Sequence, residues 1–465
     1  MYTLNFPNED TLRIIRHFNK HYSECRDKDT FSLMEAQATC SEDVHEESIK
    51  YSAFNYWEHR DNIHVVFNSL YNTLSVFSNE AYREFNNLDK ADKELKNRWY
   101  SLGLCVNSDL NEITSYLQYA YASRKWKSRK LRLVITTTMC CNARCAYCYE
   151  GDVQKRGFDK SVKEDLLKFI ELQCTEEGVG ITWFGGEPLL NTDLIDYVTD
   201  YLIKKDIEYS AYIITNGSLL TKDMLINKFP HWHIGAMQIT IDGTKDNYLK
   251  IKNYYNTNTD YFEKLIENIK IADEAGIGVD IRLNIDQDNM QDIFTLACFL
   301  EEQFSNCSKV SMYPAFIAGT NKVVAESERI NLIKQLIKHL KNPDKATFLS
   351  KLHKEARIAP CNIADQRSFG IDVDGYLHTC EHYVGKKEYA IGDVTEGVHG
   401  KDKRLEDFDL ETKCKQCVWL PQCFGGCQAH RIEGDIPCMI EKYMIPAYIQ
   451  YLADYIEEEE SKPIF

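Results

Sequence analysis

From residue 131 the chain settles into one rhythm. Apolar, β-rich stretches recur at LRLVITT (131–137), GITWF (180–184), YSAYIIT (209–215), AMQITID (236–242), GVDIRLNI (278–285) and KVSMYP (309–314). Helical patterns lie between them at 163–173, 192–203, 261–276 and 293–304, and another follows at 329–340. Strands that alternate with helices predict a parallel sheet joined by right-handed crossovers. Eight such units would close a full barrel, so six predict an α/β fold with a partial, TIM-like (β/α)6 barrel. In folds of this kind the chemistry sits at the C-terminal ends of the strands.

A length of 465 residues implies about two to four domains. We divide the chain into residues 1–125, the barrel at 126–345, and residues 346–465. Residues 1 to about 50 hold mixed, short helical patterns. NIHVVFNSL and NTLSVFS then read as two strands joined at Tyr71 and Asn72, with helices around EAYREFNNL and KELKNRWYSLGL. A hairpin followed by short helices is the outline of a winged helix. KWKSRK (125–130) is the expected linker, and the acidic end YIEEEESKPIF the expected solvated end of a helix. No apolar run approaches the roughly 18 residues a membrane helix needs, and MYTLNFPNEDTLRII lacks a secretory pattern. A cytoplasmic protein with no membrane partner is expected. A net charge of −16 argues against nucleic acid as a partner.

Seventeen cysteines in a chain read as cytoplasmic point to metal or cluster ligation rather than disulfides. Cys141, Cys145 and Cys148 follow the first barrel strand in TTTMCCNARCAYCYE, and no fourth cysteine stands close by. Cys361, Cys380, Cys414, Cys417, Cys423, Cys427 and Cys438 crowd a loop-rich C-terminal region, partly as CKQCVWLPQCFGGC. Paired CxxC spacing also suits zinc. Cys140 is a neighbour of the first group, while Cys25, Cys40, Cys105, Cys174, Cys298 and Cys307 are expected to be buried thiols.

The three-cysteine loop resembles the radical S-adenosylmethionine superfamily. The resemblance implies a 4Fe–4S cluster held by three thiolates, whose open iron is chelated by S-adenosylmethionine. One-electron cleavage of that cosubstrate then yields a 5′-deoxyadenosyl radical. GGEP (185–188) resembles the segment that meets the cosubstrate's amino group, which makes Gly185, Gly186 and Glu187 candidates. Asn216 in TNG and Thr240 in QITIDG resemble the segments near its ribose and carboxylate. Tyr147 completes the cofactor set by its place in the loop, and Arg282 is a candidate partner of the carboxylate, because a guanidinium fork suits that geometry. TKDNYLKIK, after the DG turn, departs from the family's usual His–Asp and Arg pattern.

The downstream cysteines resemble the SPASM domain, which holds two auxiliary 4Fe–4S clusters. The resemblance groups Cys414, Cys417, Cys423 and Cys438 for one cluster and Cys361, Cys380 and Cys427 for the other. The second group has no evident fourth cysteine and is expected to keep an open or non-cysteine position. Three 4Fe–4S clusters are thus expected in all, with an external one-electron reductant of flavodoxin or ferredoxin type. SPASM enzymes with this layout mostly act on peptides or proteins. Oxidative modification of a ribosomally made peptide, as a thioether or carbon–carbon crosslink, is therefore the expected reaction. Residues 60–105 would bind the precursor's leader as an added strand. Glu381 and His382, beside Cys380, are candidates for proton transfer. The alternative is a formylglycine-generating sulfatase-maturing enzyme. A distant one is an iron–sulfur sensor on DNA, which the lack of a Lys/Arg-rich helix opposes.

Overall fold

The computed structural model describes residues 49–126, 130–148, 150–151, 153–317, 322–341, 356–357, 361, 365–400, 410–432, 438 and 441–460. Antiparallel pairing comes first. β1 (Ile49–Tyr51) pairs with β5 (Cys105–Asn107), and β2 (Asn55–His59), β3 (Ile63–Asn68) and β4 (Thr73–Ser78) form a three-stranded sheet. α1 (Asn79–Phe85) and α2 (Lys93–Ser101) follow β4, and α3 (Glu112–Trp126) closes the region. Ser78 and Asp92 cap the first two helices through Ala81 N–H and Leu95 N–H. The expected hairpin and helices are present, and β2, in NYWEH, adds a third strand. α3 runs into the expected linker, whose residues 127–129 lie outside the described part, as do residues 1–48 with Cys25 and Cys40.

Strand alternation splits β3 between two cores. Val66 joins Phe77, Phe85, Trp99 and Leu104 in a local one. Ile63, Val65 and Phe67 face the main core of the molecule.

The barrel follows the expected order. Its strands are β6 (Leu131–Thr138), β7 (Val179–Gly185), β8 (Tyr209–Thr215), β9 (Ile234–Thr240), β10 (Gly278–Ile285) and β11 (Val310–Phe316). Each pairs in parallel with the next. The crossover helices are α4 (Lys163–Gln173), α5 (Thr192–Lys204), α6 (Lys245–Lys252), α7 (Tyr261–Glu274) and α8 (Asp292–Gln303), and α9 (Glu326–His339) follows β11. Ile181, Ile213, Met237, Ile239, Ile281 and Leu283 point at the helices and are buried. Alternate residues point inward, and Val134, Thr182, Tyr212, Ile214, Gln238 and Arg282 among them are only half-buried. A closed barrel fills its inside with layers of branched aliphatic residues. This one keeps a partly polar hollow.

The sheet does not end with six strands. β12 (Ser368–Ile371) lies parallel to β6, from Ser368 beside Arg132 to Ile371 beside Ile135. β13 (Tyr376–His378), β14 (Gly392–Asp393) and β15 (Gly397–Val398) extend it antiparallel to ten strands. The cysteine-rich region is therefore continuous with the barrel sheet. An uncovered β6 would present a row of unpaired backbone groups, and β12 satisfies them.

The last helix, α10 (Glu441–Glu460), packs on α9 and on the N-terminal sheet. Asp454 is the hinge pin of that contact. It accepts from Arg60 Nη2 at 2.6 Å, Lys334 Nζ at 2.8 Å and Lys338 Nζ at 2.9 Å. Among the described residues no helix is long and apolar enough to cross a membrane.

Four of the remaining thiols are described. Cys105 is buried, as expected of all of them, but Cys174, Cys298 and Cys307 are half-buried. Cys174 caps the end of α4, Cys298 lies on α8, and Cys307 stands in the loop before β11, at the margins of the helical layer.

Candidate functional site

The cysteine loop leaves the C-terminal end of β6, where the fold places chemistry. Cys141 Sγ accepts from Ala143 N–H at 3.4 Å, and Cys148 N–H donates to the Cys145 carbonyl at 3.1 Å. Burial pushes the Cys141 thiol up to about 11, with Cys145 and Cys148 close enough to raise it further. Burial also raises Cys145 and Cys148. Three crowded sulfurs, two half-buried and the third, Cys148, at the surface, gain most from a multivalent cation that binds thiolates.

The glycines after β7 clamp this loop. Gly186 N–H donates to the Thr138 carbonyl at 3.0 Å, and Glu187 N–H to the Cys140 carbonyl at 2.9 Å. Gly185 has φ +125°, and a Cβ there would lie 2.2 Å from the Thr138 oxygen. A Cβ on Gly186 would lie 2.4 Å from the Cys140 oxygen. These two glycines thus bring the backbone after β7 hard against the start of the loop. Glu187 is fully buried, and its carboxylate receives Thr215 Oγ1–H at 2.7 Å, Asn216 N–H at 2.8 Å and Leu189 N–H at 3.1 Å. Burial raises this carboxyl, and those donors oppose the shift. Asn216 extends the chain of contacts, since its Nδ2 donates to Asn142 Oδ1 at 2.9 Å and lies 3.8 Å from Cys141 Sγ.

A buried ion pair that sequence reasoning missed lies under the loop. Lys252, at the end of α6, is 1% exposed, and Asp242, just past β9, is 0% exposed. Lys252 Nζ is 2.7 Å from Asp242 Oδ2 and donates to Thr240 Oγ1 at 2.6 Å and Tyr147 Oη at 3.1 Å. Tyr147 Oη–H donates to Asp242 Oδ2 at 2.6 Å, and Asn284 Nδ2 reaches Tyr147 Oη at 3.3 Å. Tyr147 and Thr240, both expected at the cofactor, thus meet in one network. Arg282 stands in register with Thr240 and Tyr313 on the inner face. Arg282 Nε, Asp242 Oδ1 and Thr136 Oγ1 are buried without a hydrogen-bond partner. Strand alternation turns Arg282 and Thr136 toward the hollow, and such orphans fit a site that receives a polar ligand.

The seven C-terminal cysteines divide into two groups. Cys380 is raised by burial, then by Glu381, with Cys361 and Cys427 also acting on it. Cys423 is raised to about 11 by burial, with Cys417, Cys438 and Cys414 around it. Cys380 thus neighbours Cys361 and Cys427, and Cys423 neighbours Cys414, Cys417 and Cys438. Arg431 Nη2 lies 3.3 Å from Cys414 Sγ, and Lys442 Nζ lies 3.0 Å from Cys438 Sγ, so cations face the second set. Thiolates around one tetrahedral zinc, with bonds of about 2.3 Å, stand within about 4 Å of one another. Among the described residues the one trio of Cys, His, Asp or Glu ligand atoms within 4.8 Å of one another is Asp393, Glu396 and His399, with no cysteine. The spread of the thiol groups suits a larger inorganic core.

Glu381 Oε2 lies 3.5 Å from Cys380 Sγ, and the His382 ring stands 5.4 Å from that of His430. Gly370 of β12 lies against the Cys380 backbone, with only 3.4 Å between that backbone and an added Cβ. Since Gly370 pairs with Val134, this brings Cys380 and Glu381 to the inner face of the sheet, beside β6.

Residues 135–300 match the sequence profile of the Radical SAM superfamily. This is a radical SAM domain. Its chain is 25% identical over 339 residues to a cysteine-type anaerobic sulfatase-maturating enzyme of Clostridium novyi, covering 63% of this chain and 86% of that protein. It is 23% identical over 237 residues to the radical SAM cyclopropyl synthase TigE of Paramaledivibacter caminithermalis, over 44% of this chain and 48% of that one. The solved structure of anSMEcpe with bound AdoMet superposes with a TM-score of 0.55 at 15% identity, over 72% of this chain and 96% of that chain. The α/β fold with its parallel partial barrel is thus shared with that structure.

Proposed function

We propose that this protein is a radical SAM enzyme that oxidatively crosslinks a ribosomally synthesised peptide, through a thioether or a carbon–carbon bond. The observation that carries the reading is the attachment of the N-terminal sheet to the C-terminal cysteine region. Gln422 Nε2, one residue before Cys423, donates to the Ser69 carbonyl at 2.6 Å and to Asn72 Oδ1 at 2.8 Å, both in the β3–β4 turn. The Trp419 ring, between Cys417 and Cys423, lies 4.8 Å from that of Tyr56 on β2. A sheet anchored there offers a strand edge for a leader peptide while directing the peptide's core segment toward the barrel mouth.

Cys141, Cys145 and Cys148 would hold the first 4Fe–4S cluster. Cys414, Cys417, Cys423 and Cys438 would hold a second, and Cys361, Cys380 and Cys427 a third with an open or non-cysteine position. When bound, the first cluster and S-adenosylmethionine supply a hydrogen-abstracting carbon radical, with the electron brought by a flavodoxin- or ferredoxin-type donor. Gly185 and Gly186 hold the loop in place. Glu187 and Asn216 brace the end of β8 against it, and Glu187 has about one acceptor position left for an ammonium group. Tyr147 and Thr240 set the wall of the pocket, and Arg282 offers its guanidinium to a carboxylate. Glu381 or His382, beside Cys380, would take the proton released as the substrate radical closes its new bond, and an auxiliary cluster would accept the electron given up with it.

A second reading is formylglycine formation on a sulfatase, favoured by the match to 86% of the Clostridium novyi protein. The test is anaerobic reconstitution followed by S-adenosylmethionine and a reductant. Release of 5′-deoxyadenosine, lost in Cys145→Ala, is expected, with about twelve irons per chain. Mass spectrometry of peptides encoded beside the gene then decides between the readings. A two-hydrogen loss with a new crosslink supports the first, and an aldehyde on a sulfatase peptide supports the second.

A further inference from the structure

Inside the barrel one carboxylate has no ion-paired cation among the described residues. Tyr212 Oη–H of β8 donates to Asp280 Oδ2 of β10 at 3.1 Å, and Tyr313 Oη–H of β11 donates to Gln238 Oε1 of β9 at 2.6 Å. Each bond passes over an intervening strand. Only the concave face of a curved sheet permits that, so Asp280 lies within the hollow. Ser311 Oγ–H fills one site on its other oxygen, at 2.6 Å. An ionised carboxylate has about four acceptor positions, so about two stay open. Among the described residues no Lys, Arg or His nitrogen forms an ion pair with Asp280, whereas buried Asp242 has Lys252 at 2.7 Å.

Depth selects what can reach this group. Asp280 lies four residues before Asn284, which touches Tyr147 of the cysteine loop, and the strand rises about 13 Å over that interval. No single side chain spans that depth from the mouth, so the peptide backbone enters the hollow part-way and only a long side chain covers the rest. A neutral chain would strip water from Asp280 and return nothing, whereas an ammonium or guanidinium group restores the lost interactions. The net charge of −16 also favours encounter with cationic peptides.

We propose that Asp280, held by Tyr212 and Ser311, is a specificity contact that receives a lysine or arginine side chain of the peptide substrate. This rests on the peptide-modifying reading above and names the side-chain class that the barrel accepts. The probes are N-acetyl-lysine amide and its uncharged isostere N-acetyl-norleucine amide. Both are titrated calorimetrically into the anaerobic, reconstituted full chain saturated with S-adenosylmethionine. The lysine probe is expected to bind at least tenfold more tightly, and Asp280→Asn to abolish the difference. Equal affinities in the unaltered protein, including no binding of either, overturn the assignment, and so does a lysine preference that survives Asp280→Asn. The two-probe comparison needs no variant, so misfolding of Asp280→Asn leaves it intact. Failure of the wider reading is separate, because it would appear as absent 5′-deoxyadenosine release or an unmodified peptide.

Discussion

Lys252→Met gives the sharpest test of the site. Burial works against the Lys252 charge, but Asp242 outweighs it and holds the ammonium protonated well above the ordinary lysine range. Methionine keeps the unbranched stem of the side chain, one atom shorter, and removes the charge. Asp242 would then keep one donor, Tyr147 Oη–H at 2.6 Å, while its Oδ1 already has none. Breaking a buried pair by deleting one partner costs about 3–5 kcal/mol. For a unit the size of this barrel that lowers the melting temperature by on the order of 10 °C. The double variant Lys252→Met/Asp242→Asn removes the stranded charge and should recover more than half of the loss. Melting of anaerobic protein by circular dichroism, run as a double-mutant cycle, measures the coupling. Because the pair also holds Tyr147, the single variant should load less iron on the first cluster than the double. A single variant within about 1 kcal/mol of the parent, or a double variant no better than the single, would refute the pairing.

Individual contacts set the remaining expectations. Gly186→Ala forces a Cβ to within 2.4 Å of the Cys140 oxygen, so the loop must move, and iron should fall by about four atoms per chain. Full iron loading would contradict that. Glu112 accepts from Ser52 Oγ at 2.8 Å and from Ala53 N–H at 2.8 Å. Glu112→Gln has one acceptor for the two donors and should cost about 1–3 kcal/mol, read as faster hydrogen exchange across β1 and β2. Burial raises the Asp454 carboxyl, but bonds from Lys334, Lys338 and Arg60 outweigh it and hold it well below the usual range. The stability it adds is complete above the unfolded value near 3.9 and is lost as pH falls through the lower folded value. Protection of residues 55–68 should therefore hold at pH 5 and drop below about pH 4. Asp454→Asn should lower it already at pH 6 and flatten the pH dependence.

The barrel was legible because six runs rich in branched and aromatic residues alternate with amphipathic helices, and long periodic segments report their own structure. The three-cysteine loop at the end of β6 was legible because Cys141, Cys145 and Cys148 fall within eight positions directly after a strand. β12 was not recognisable as a barrel neighbour. Its four residues carry little periodicity, and its partner β6 lies more than 200 positions earlier. NYWEH hid β2 because an edge strand that is half-buried along its length shows no clean alternation. TKDNYLKIK was the costliest omission. Its lysines and asparagine look like a solvated surface, yet Lys252 is among the most deeply buried side chains in the molecule. Only the return of α6 beneath the cysteine loop, against a carboxylate ten positions earlier, gives that lysine its role.

The seating of β12 against β6 limits how the protein can be cut. A fragment ending after α9 would keep all six crossover strands and all three cysteines of the first loop. It would also leave Leu131–Thr138 as a long, apolar border open to any extended chain it meets. Such a truncation should self-associate through that border, and the shortest well-behaved catalytic piece must run at least through β13.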